Sequence, residues 1–272
     1  KDADVIVLET MTDLYEVKAA LLAAKENTDK PVICTMTFER NGRTFTGCSC
    51  SAMALTLEGL GADAIGVNCS LGPKDLMPVV SEICRWTTLP VAVKPNAGLP
   101  DPNTNLYDVL PDEFAEAASE FAAMGVKIFG GCCGTTSEHI SALSKALDGA
   151  KFVRPAPEHG DMLPVSTEKE PMYLPVDAKH GKVLSVTSEL EDTLSDALDS
   201  DDAMIAIRLS GWADVDAFAD CQYMINKPLC IVCDDADVLE SALRVYQGRA
   251  LYEGALDESA LLPLCDKYGL II

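Results

Sequence analysis

The sequence predicts an α/β protein in which a partial (β/α)8 TIM barrel, about five of its eight βα units, precedes a second, incomplete βα domain. Two observations lead to this fold class. Short apolar segments typical of strands buried on both faces alternate with amphipathic segments of helical spacing. The predicted strands of the first half end near residues 10, 37, 70, 97 and 132, close to the roughly 31 residues per unit of an eight-unit barrel.

Residues 1–150 form the predicted barrel part. The strands are Val5–Glu9, Val32–Phe38, Ala64–Cys69, Val91–Lys94 and Val126–Phe129, and the helices are Leu14–Lys25, Ala52–Leu60, Lys74–Thr87 and Asp112–Met124. Thr12 or Asp13 can cap the first helix, with Glu16 completing a capping box. No phosphate-binding glycine motif of doubly wound sheets follows any strand. Polar and turn-forming residues instead follow several strands, where barrel active sites lie.

Residues 151–180 are predicted to be a proline-rich linker, because five prolines are mixed with polar residues there: Pro155, Pro157, Pro164, Pro171 and Pro175. The βα alternation returns over residues 181–272. Its predicted strands are Val183–Thr187, Ala203–Leu209, Leu229–Val232 and Ala250–Tyr252, and its helices are Thr193–Leu198, Val215–Met224, Val238–Tyr246 and Ser259–Lys267. The chain closes on three apolar residues and opens without a methionine, so we expect a piece of a longer protein.

Charge and cysteine content narrow the function classes. The chain has 272 residues, with 21 Lys and Arg against 43 Asp and Glu, and a net charge of −22. Nucleic-acid binders present basic patches, and no apolar run reaches the ~18 residues of a membrane span, so we expect neither partner. Eleven cysteines, an odd number in a chain that can bury a core, indicate a reducing compartment. We therefore expect a cytoplasmic protein.

The sharpest local motif is Gly130–Thr136, in which Cys132 and Cys133 are adjacent and flanked by glycines. Three interpretations are open: a strained vicinal disulfide, two structural thiols, or a pair of metal ligands. Catalytic zinc takes three protein ligands and keeps a fourth position open. A third cysteine must then come from elsewhere, and Cys69 ends a neighbouring strand. Against this, cysteine is most often a small core residue.

Four motifs carry a resemblance to a known family: Val7–Thr10, Gly66–Pro73, Pro95–Pro100 and Gly130–Ile140. In this order and spacing they resemble the homocysteine S-methyltransferase family, the zinc-dependent barrel shared by methionine synthases and betaine– or S-methylmethionine–homocysteine methyltransferases. The resemblance implies methyl transfer to the thiol of homocysteine, giving methionine. It also implies zinc at Cys69, Cys132 and Cys133, where a bound thiol would lose its proton.

The same resemblance suggests substrate contacts. Glu9 matches the acidic residue that would bind the amino group of homocysteine, although it could instead be an acid at the start of the next helix. Asn68 and Asn96 either bind substrate or serve as turn residues. His139 is spaced like a zinc ligand, but the resemblance places it in the helix after the last strand. The remaining metal-like pair, Cys48-x-Cys50, has no familiar counterpart, and we expect it to be structural.

The methyl donor implied by the resemblance is methylcobalamin, which a cobalamin-binding domain or protein outside this chain would supply. Within residues 228–269 the second domain resembles the pterin-binding domain of cobalamin-dependent methionine synthases. The acidic residue expected to meet the pterin falls on Val232, and the expected Asn-Ser pair falls on Glu253-Gly254. We therefore expect that this copy does not bind folate.

The sequence also departs from the family pattern. The first three barrel units, with their acidic Asp-Gly start, have no counterpart in the chain, so we expect no methyltransferase turnover from this chain alone. Two alternatives stay open at this point. One is a non-catalytic paralogue that binds a thiol or a partner, and the other is a zinc-storing or redox protein.

Overall fold

A computed structural model describes residues 3–152, 157 and 160–272 of the chain. Pro155 of the predicted linker lies outside the described residues. The chain divides into two compact units, Lys1–Glu58 with Ala62–Glu158 and Gly59–Gly61 with His159–Ile272. In the part of the chain that is described, no helix is long and apolar enough to cross a membrane.

The first unit is built on a five-stranded, all-parallel sheet with the strand order β1-β2-β3-β4-β5. Strands and helices alternate along the chain: β1 (Ile6–Met11), α1 (Leu14–Asn27), β2 (Val32–Met36), α2 (Cys50–Gly59), β3 (Ala64–Asn68), α3 (Pro73–Trp86), β4 (Val91–Lys94), α4 (Pro111–Met124), β5 (Ile128–Phe129) and α5 (Ser137–Ala146). Because all these pairings are parallel, the carboxyl ends of the five strands lie at one edge.

Local sequence explains why these elements begin where they do. Asp13 caps α1, and its carboxylate accepts a hydrogen bond from the N–H of Glu16 at 2.9 Å. Strands β2, β3 and β4 are almost wholly buried, as apolar parallel strands require. Gly66 in β3 allows the close approach of β4, because a Cβ there would lie 1.8 Å from the carbonyl oxygen of Ala92.

The second unit contains a four-stranded parallel sheet, in the order β11-β10-β9-β8, and a two-stranded antiparallel hairpin. The elements are β6 (Met162–Ser166), β7 (Pro171–Pro175), β8 (Val183–Ser185), α6 (Leu190–Leu198), β9 (Ile205–Arg208), α7 (Trp212–Cys221), a 3-10 turn (Gln222–Met224), β10 (Leu229–Val232), α8 (Ala236–Val245), β11 (Leu251–Glu253) and α9 (Glu258–Tyr268). The apolar chain end continues the pattern, since Ile271 bridges in parallel to Leu251.

The hairpin corrects the expectation of a linker over residues 151–180. Strands β6 and β7 pair in register from Met162 opposite Pro175 to Ser166 opposite Pro171. Val165 and Leu174 are buried in the core cluster of this unit, with Ala206 and Cys230 among their neighbours. Prolines are tolerated because a two-stranded hairpin has only edge strands, where a missing N–H costs little. Alternating apolar residues thus outweigh the proline content.

The mixed α/β class with parallel sheets agrees with the fold predicted from the sequence. The sheet of the first unit is open among the described residues: β1 and β5 are its edges and pair with no other described strand. Closure into an eight-stranded barrel therefore stays a prediction, and so does the assignment of the second unit.

Candidate active site

The candidate site lies at the carboxyl edge of the parallel sheet in the first unit. Asn68 and Lys94 are the last residues of β3 and β4 and lie opposite each other in register. Glu9 and Thr10 belong to β1, and the segment with Cys132 and Cys133 follows β5. Four elements thus bring their polar residues to one edge, which is where the loops of parallel α/β folds carry their chemistry.

Three sulfur atoms meet at this edge. The ligand atoms of Cys69, Cys132 and Cys133 all lie within 4.8 Å of one another, and the sulfurs of Cys69 and Cys133 are 3.7 Å apart. Zinc–thiolate bonds of ~2.3 Å in a tetrahedron place two sulfurs about 3.8 Å apart. The spacing of this cluster, and its three soft donors, therefore fit a zinc ion. Cys133 is exposed and the other two are partly exposed, so a fourth ligand can reach the cluster.

Unusual backbone conformation turns Cys69 toward the other sulfurs. Cys69 and Ser70 have φ values of 60° and 61°, the left-handed region that non-glycine residues seldom adopt. The N–H of Cys69 donates to the carbonyl oxygen of Lys94 at 3.0 Å, so a backbone hydrogen bond to β4 still holds Cys69 in place.

The loop with the two adjacent cysteines is held by β4 and the residues that follow it. The N–H of Cys132 donates to the carbonyl oxygen of Pro95 at 2.8 Å. The N–H of Cys133 donates to Asn96 Oδ1 at 3.0 Å. Gly134 turns the chain with a φ of 76°, and a Cβ there would lie 2.2 Å from the ring of Tyr107. Only glycine fits at this position.

The three thiols influence one another's ionisation. Burial raises the pKa of Cys69, but hydrogen bonds from the Ser70 N–H and from the thiols of Cys133 and Cys132 outweigh it, and the net pKa is lowered. Burial and the adjacent Cys69 raise the pKa of Cys132 to about 11. Ionisation of Cys69 is therefore favoured at the expense of ionisation of Cys132.

Asn68 anchors the cluster from beneath and is fully buried. Its Oδ1 accepts hydrogen bonds from the Thr10 N–H at 2.9 Å and from Thr35 Oγ1 at 2.8 Å. Its Nδ2 donates to Thr10 Oγ1 at 2.7 Å and lies 3.9 Å from the sulfur of Cys132. Asn68, in β3, thus links strands β1 and β2 to Cys132, one of the candidate metal ligands.

Asn96 has a similar linking position and is also buried. Besides accepting from the Cys133 N–H, its side chain hydrogen-bonds Cys69 and contributes to the lowered pKa of that thiol. The two asparagines of the predicted site therefore both contact the cysteine cluster. Whether they also contact substrate stays a prediction.

Glu9, the candidate for substrate amine binding, lies in an ion pair. Its Oε1 is 2.6 Å from Lys94 Nζ, and the two side chains are 42% and 18% exposed. Residue patterns along the sequence gave no sign of this pairing, because the two residues are far apart in the chain. Lys94 is thus a site residue that the sequence analysis missed. Tyr107, whose ring packs against Gly134 of the cysteine loop, is another.

The other candidate ligands lie elsewhere. His139 forms a reciprocal capping box with Thr136 at the start of α5, and its Nε2 is 2.9 Å from the carbonyl oxygen of Val109. Both ring nitrogens are therefore engaged in holding the loop. Cys48 and Cys50 are buried, and burial raises the pKa of Cys50 to about 12. Among the described residues, Cys69, Cys132 and Cys133 are the group found with metal-ligand geometry.

Comparison with known proteins identifies the family of the first unit. The sequence profile described as homocysteine S-methyltransferase matches residues 1–147, more than half of the chain. The chain belongs to the homocysteine S-methyltransferase family. This agrees with the four motifs of the sequence, all of which lie inside the matched range.

Relatives of this homocysteine S-methyltransferase family member include two methionine synthases. That of Mycobacterium tuberculosis (strain ATCC 25618 / H37Rv) is 38% identical over 157 residues, and that of Mycobacterium leprae (strain TN) is 37% identical over 153 residues. The alignments cover 55% and 53% of this chain but only 13% of either relative. A solved structure, the apo form of the homocysteine methyltransferase MmuM from Escherichia coli, is 23% identical, with a TM-score of 0.46; the alignment covers 53% of this chain and 50% of that chain.

Proposed function

We propose that this chain supplies the zinc-binding and homocysteine-binding residues of an enzyme that transfers a methyl group to homocysteine and forms methionine. The observation that carries the proposal is the grouping of the Cys69, Cys132 and Cys133 sulfurs within 4.8 Å, in a chain of the homocysteine S-methyltransferase family. Family membership supports this enzyme over a non-catalytic thiol-binding paralogue. The three cysteines come from two separate motifs, which storage of zinc alone does not require.

The residues of the site divide the work. Cys69, Cys132 and Cys133 would hold zinc, which when bound supplies a positive charge that ionises a thiol substrate at neutral pH. Asn68 and Asn96 keep the three sulfurs in position through the hydrogen bonds described above. Glu9 would bind the substrate's ammonium group and so orient the sulfur toward the methyl donor. A homocysteine thiol has an ordinary pKa near 8.5, so this ionisation is the step that needs help.

Methylcobalamin is the donor that we propose, because the chain continues into a second βα domain that resembles the pterin-binding domain of cobalamin-dependent methionine synthases, and the two aligned relatives are methionine synthases. It would be bound by a domain or protein outside this chain. We further propose that the chain alone shows no turnover, since the sheet of the first unit is open at β1 and β5 among its described residues and an enclosed barrel needs eight strands.

The test is a zinc measurement on the purified protein. We expect one zinc ion per chain by atomic emission, and one proton released per chain when homocysteine is added to the zinc-loaded protein. Cys132→Ser should lose the zinc, because two thiolates are too few for a tight site. Cys265→Ser, which changes a partly exposed cysteine of the second unit, is the matched control and should keep it. Zinc-free protein, or equal zinc in both variants, contradicts the proposal.

A further inference from the structure

The ion pair between Glu9 and Lys94 is built into the same sheet edge as the cysteine cluster. Lys94 lies opposite Asn68 in register, and Asn68 contacts both Thr10 and Cys132. Glu9 is next to Thr10 in β1. The carboxylate and the ammonium therefore pair at the same sheet edge as the residue that supports the metal ligands.

The path of the Lys94 side chain depends on the cysteine motif itself. A Cβ on Gly130 would lie 2.9 Å from Cγ and 3.2 Å from Cδ of Lys94. The methylene stem thus fills the space that any other residue at position 130 would need, and it carries Nζ across to Glu9 on β1. With only 18% of its side chain exposed, Lys94 is positioned, unlike a typical surface lysine.

A half-buried pair of this kind stabilises the fold little, because desolvation offsets much of the attraction. The same two groups are well suited to an α-amino acid. The α-ammonium of such a ligand resembles Lys94 Nζ and can bind Glu9, and the α-carboxylate resembles Glu9 and can bind Lys94. When such a ligand binds between the two side chains, its ammonium group pairs with Glu9 and its carboxylate pairs with Lys94, so each of the four charges has a neighbour of opposite sign.

We propose that Lys94 is a specificity residue of this site: it binds the carboxylate of a zwitterionic α-amino-acid thiol whose ammonium group is bound by Glu9. This inference rests on the proposed function and names a specificity residue, Lys94, for the same site. Thiols that lack either charge leave one member of the pair without a ligand partner. Such thiols should bind more weakly although their sulfur is unchanged.

The test uses the cobalt-substituted protein, whose visible spectrum reports binding of a thiol to the metal without any turnover. Three thiols are titrated: homocysteine, 3-mercaptopropylamine, which lacks the carboxylate, and 4-mercaptobutyrate, which lacks the ammonium group. The variants are Lys94→Met and Glu9→Gln. Lys127→Met, an exposed lysine of the same unit, is the matched control.

We expect Lys94→Met to weaken the binding of homocysteine by about tenfold or more, the effect of one charge-assisted hydrogen bond. The same variant should bind 3-mercaptopropylamine as tightly as the parent protein does, or more tightly. Glu9→Gln should weaken the binding of homocysteine to a similar extent and leave the binding of 4-mercaptobutyrate unchanged. Lys127→Met should match the parent protein for all three. Because the two variants spare different thiols, a general loss of folding cannot produce this pattern.

Two results overturn the inference and leave the proposed function intact. One is homocysteine binding that Lys94→Met does not change, and the other is equal weakening of homocysteine and 3-mercaptopropylamine by that variant. A parent protein that binds no cobalt, or whose cobalt spectrum responds to none of the thiols, overturns the proposed function and the inference together.

Discussion

Single residues hold the candidate metal ligands in place, and Asn68 is an example. Its amide is fully buried and hydrogen-bonded to Thr10 and Thr35, and its nitrogen also lies 3.9 Å from the sulfur of Cys132. Neither asparagine nor threonine is unusual in a sequence of this kind. The role arises because the side chains of three strands converge there, which a pattern along the chain does not reveal.

Replacing Asn68 tests this role. Asn68→Ala leaves the Thr10 N–H and the Thr35 hydroxyl without their partner, so we expect a loss of about 2–4 kcal/mol in the free energy of unfolding. Zinc affinity should fall roughly 10- to 100-fold, as it does when residues that orient metal ligands are removed. Urea unfolding and chelator competition measure the two effects. Asn27→Ala, on an exposed residue at the end of α1, should alter neither, and an unchanged zinc affinity in Asn68→Ala would contradict the role.

The residue scale also shows what the sequence could predict of the site. Cys69, Cys132 and Cys133 could be found because their motifs stand at strand ends, and parallel strands bring their carboxyl ends to one edge. Glu9 could be found for the same reason. Its partner Lys94 could not, because the pairing crosses from β1 to β4 and depends on the space above Gly130. Such contacts depend on the three-dimensional arrangement of the strands, which no local pattern encodes.

At the scale of elements, apolar runs and amphipathic periods placed the strands and helices to within a few residues. The β6–β7 hairpin is the exception, since its prolines and polar neighbours resemble those of a linker. Its apolar residues Leu163, Val165, Met172 and Leu174 pack into the core cluster of the second unit, a role that becomes evident only when the sheet that the hairpin covers is known. A short α5 was likewise implied only by the family resemblance, because its apolar face is small.

One junction between elements gives a pH-dependent stability. Asp63, before β3, lies 2.6 Å from Lys25 Nζ of α1 and accepts from the Val32 N–H of β2 at 2.7 Å. Burial raises the pKa of Asp63, but these two hydrogen bonds lower it by more, so the net pKa lies below its ordinary value. A depressed carboxyl pKa stabilises the fold above the unfolded pKa of ~3.9, and the contribution disappears as the pH falls through the folded pKa.

We therefore expect Asp63→Asn to destabilise the protein at pH 7 by about 1 kcal/mol or less, because the Asp63 side chain is 45% exposed and solvent screens the pair. The difference from the parent protein should shrink at pH 3. Urea unfolding at the two pH values measures it, with the exposed Asp29→Asn as the control. A difference that grows as the pH falls is the opposite of this expectation.

The whole molecule separates its eleven cysteines into two classes. Six are buried: Cys34, Cys48, Cys50, Cys221, Cys230 and Cys233. Burial raises the pKa of Cys34 and of Cys230 to about 12, so these thiols stay protonated near neutral pH. The other five are Cys69, Cys84, Cys132, Cys133 and Cys265. The cysteines form no disulfide among the described residues.

This division predicts how many thiols react with a disulfide reagent such as DTNB. We expect five in the folded metal-free protein, two in the zinc-loaded protein, and eleven after unfolding in guanidinium, because only accessible, unligated thiolates attack the reagent. Cys132→Ser should show four in the folded state whether or not zinc is added. If zinc leaves the number of reactive thiols unchanged in the parent protein, its ligands are not the three cysteines.

The left-handed backbone at Thr10, Cys69 and Ser70 has a consequence for how such a chain would diverge. Each of these residues costs roughly 1 kcal/mol or more relative to glycine in the same conformation. A descendant freed from handling thiols could gain robustness simply by exchanging Ser70 for glycine. The strained trio is thus a thermodynamic burden that only a working active site repays.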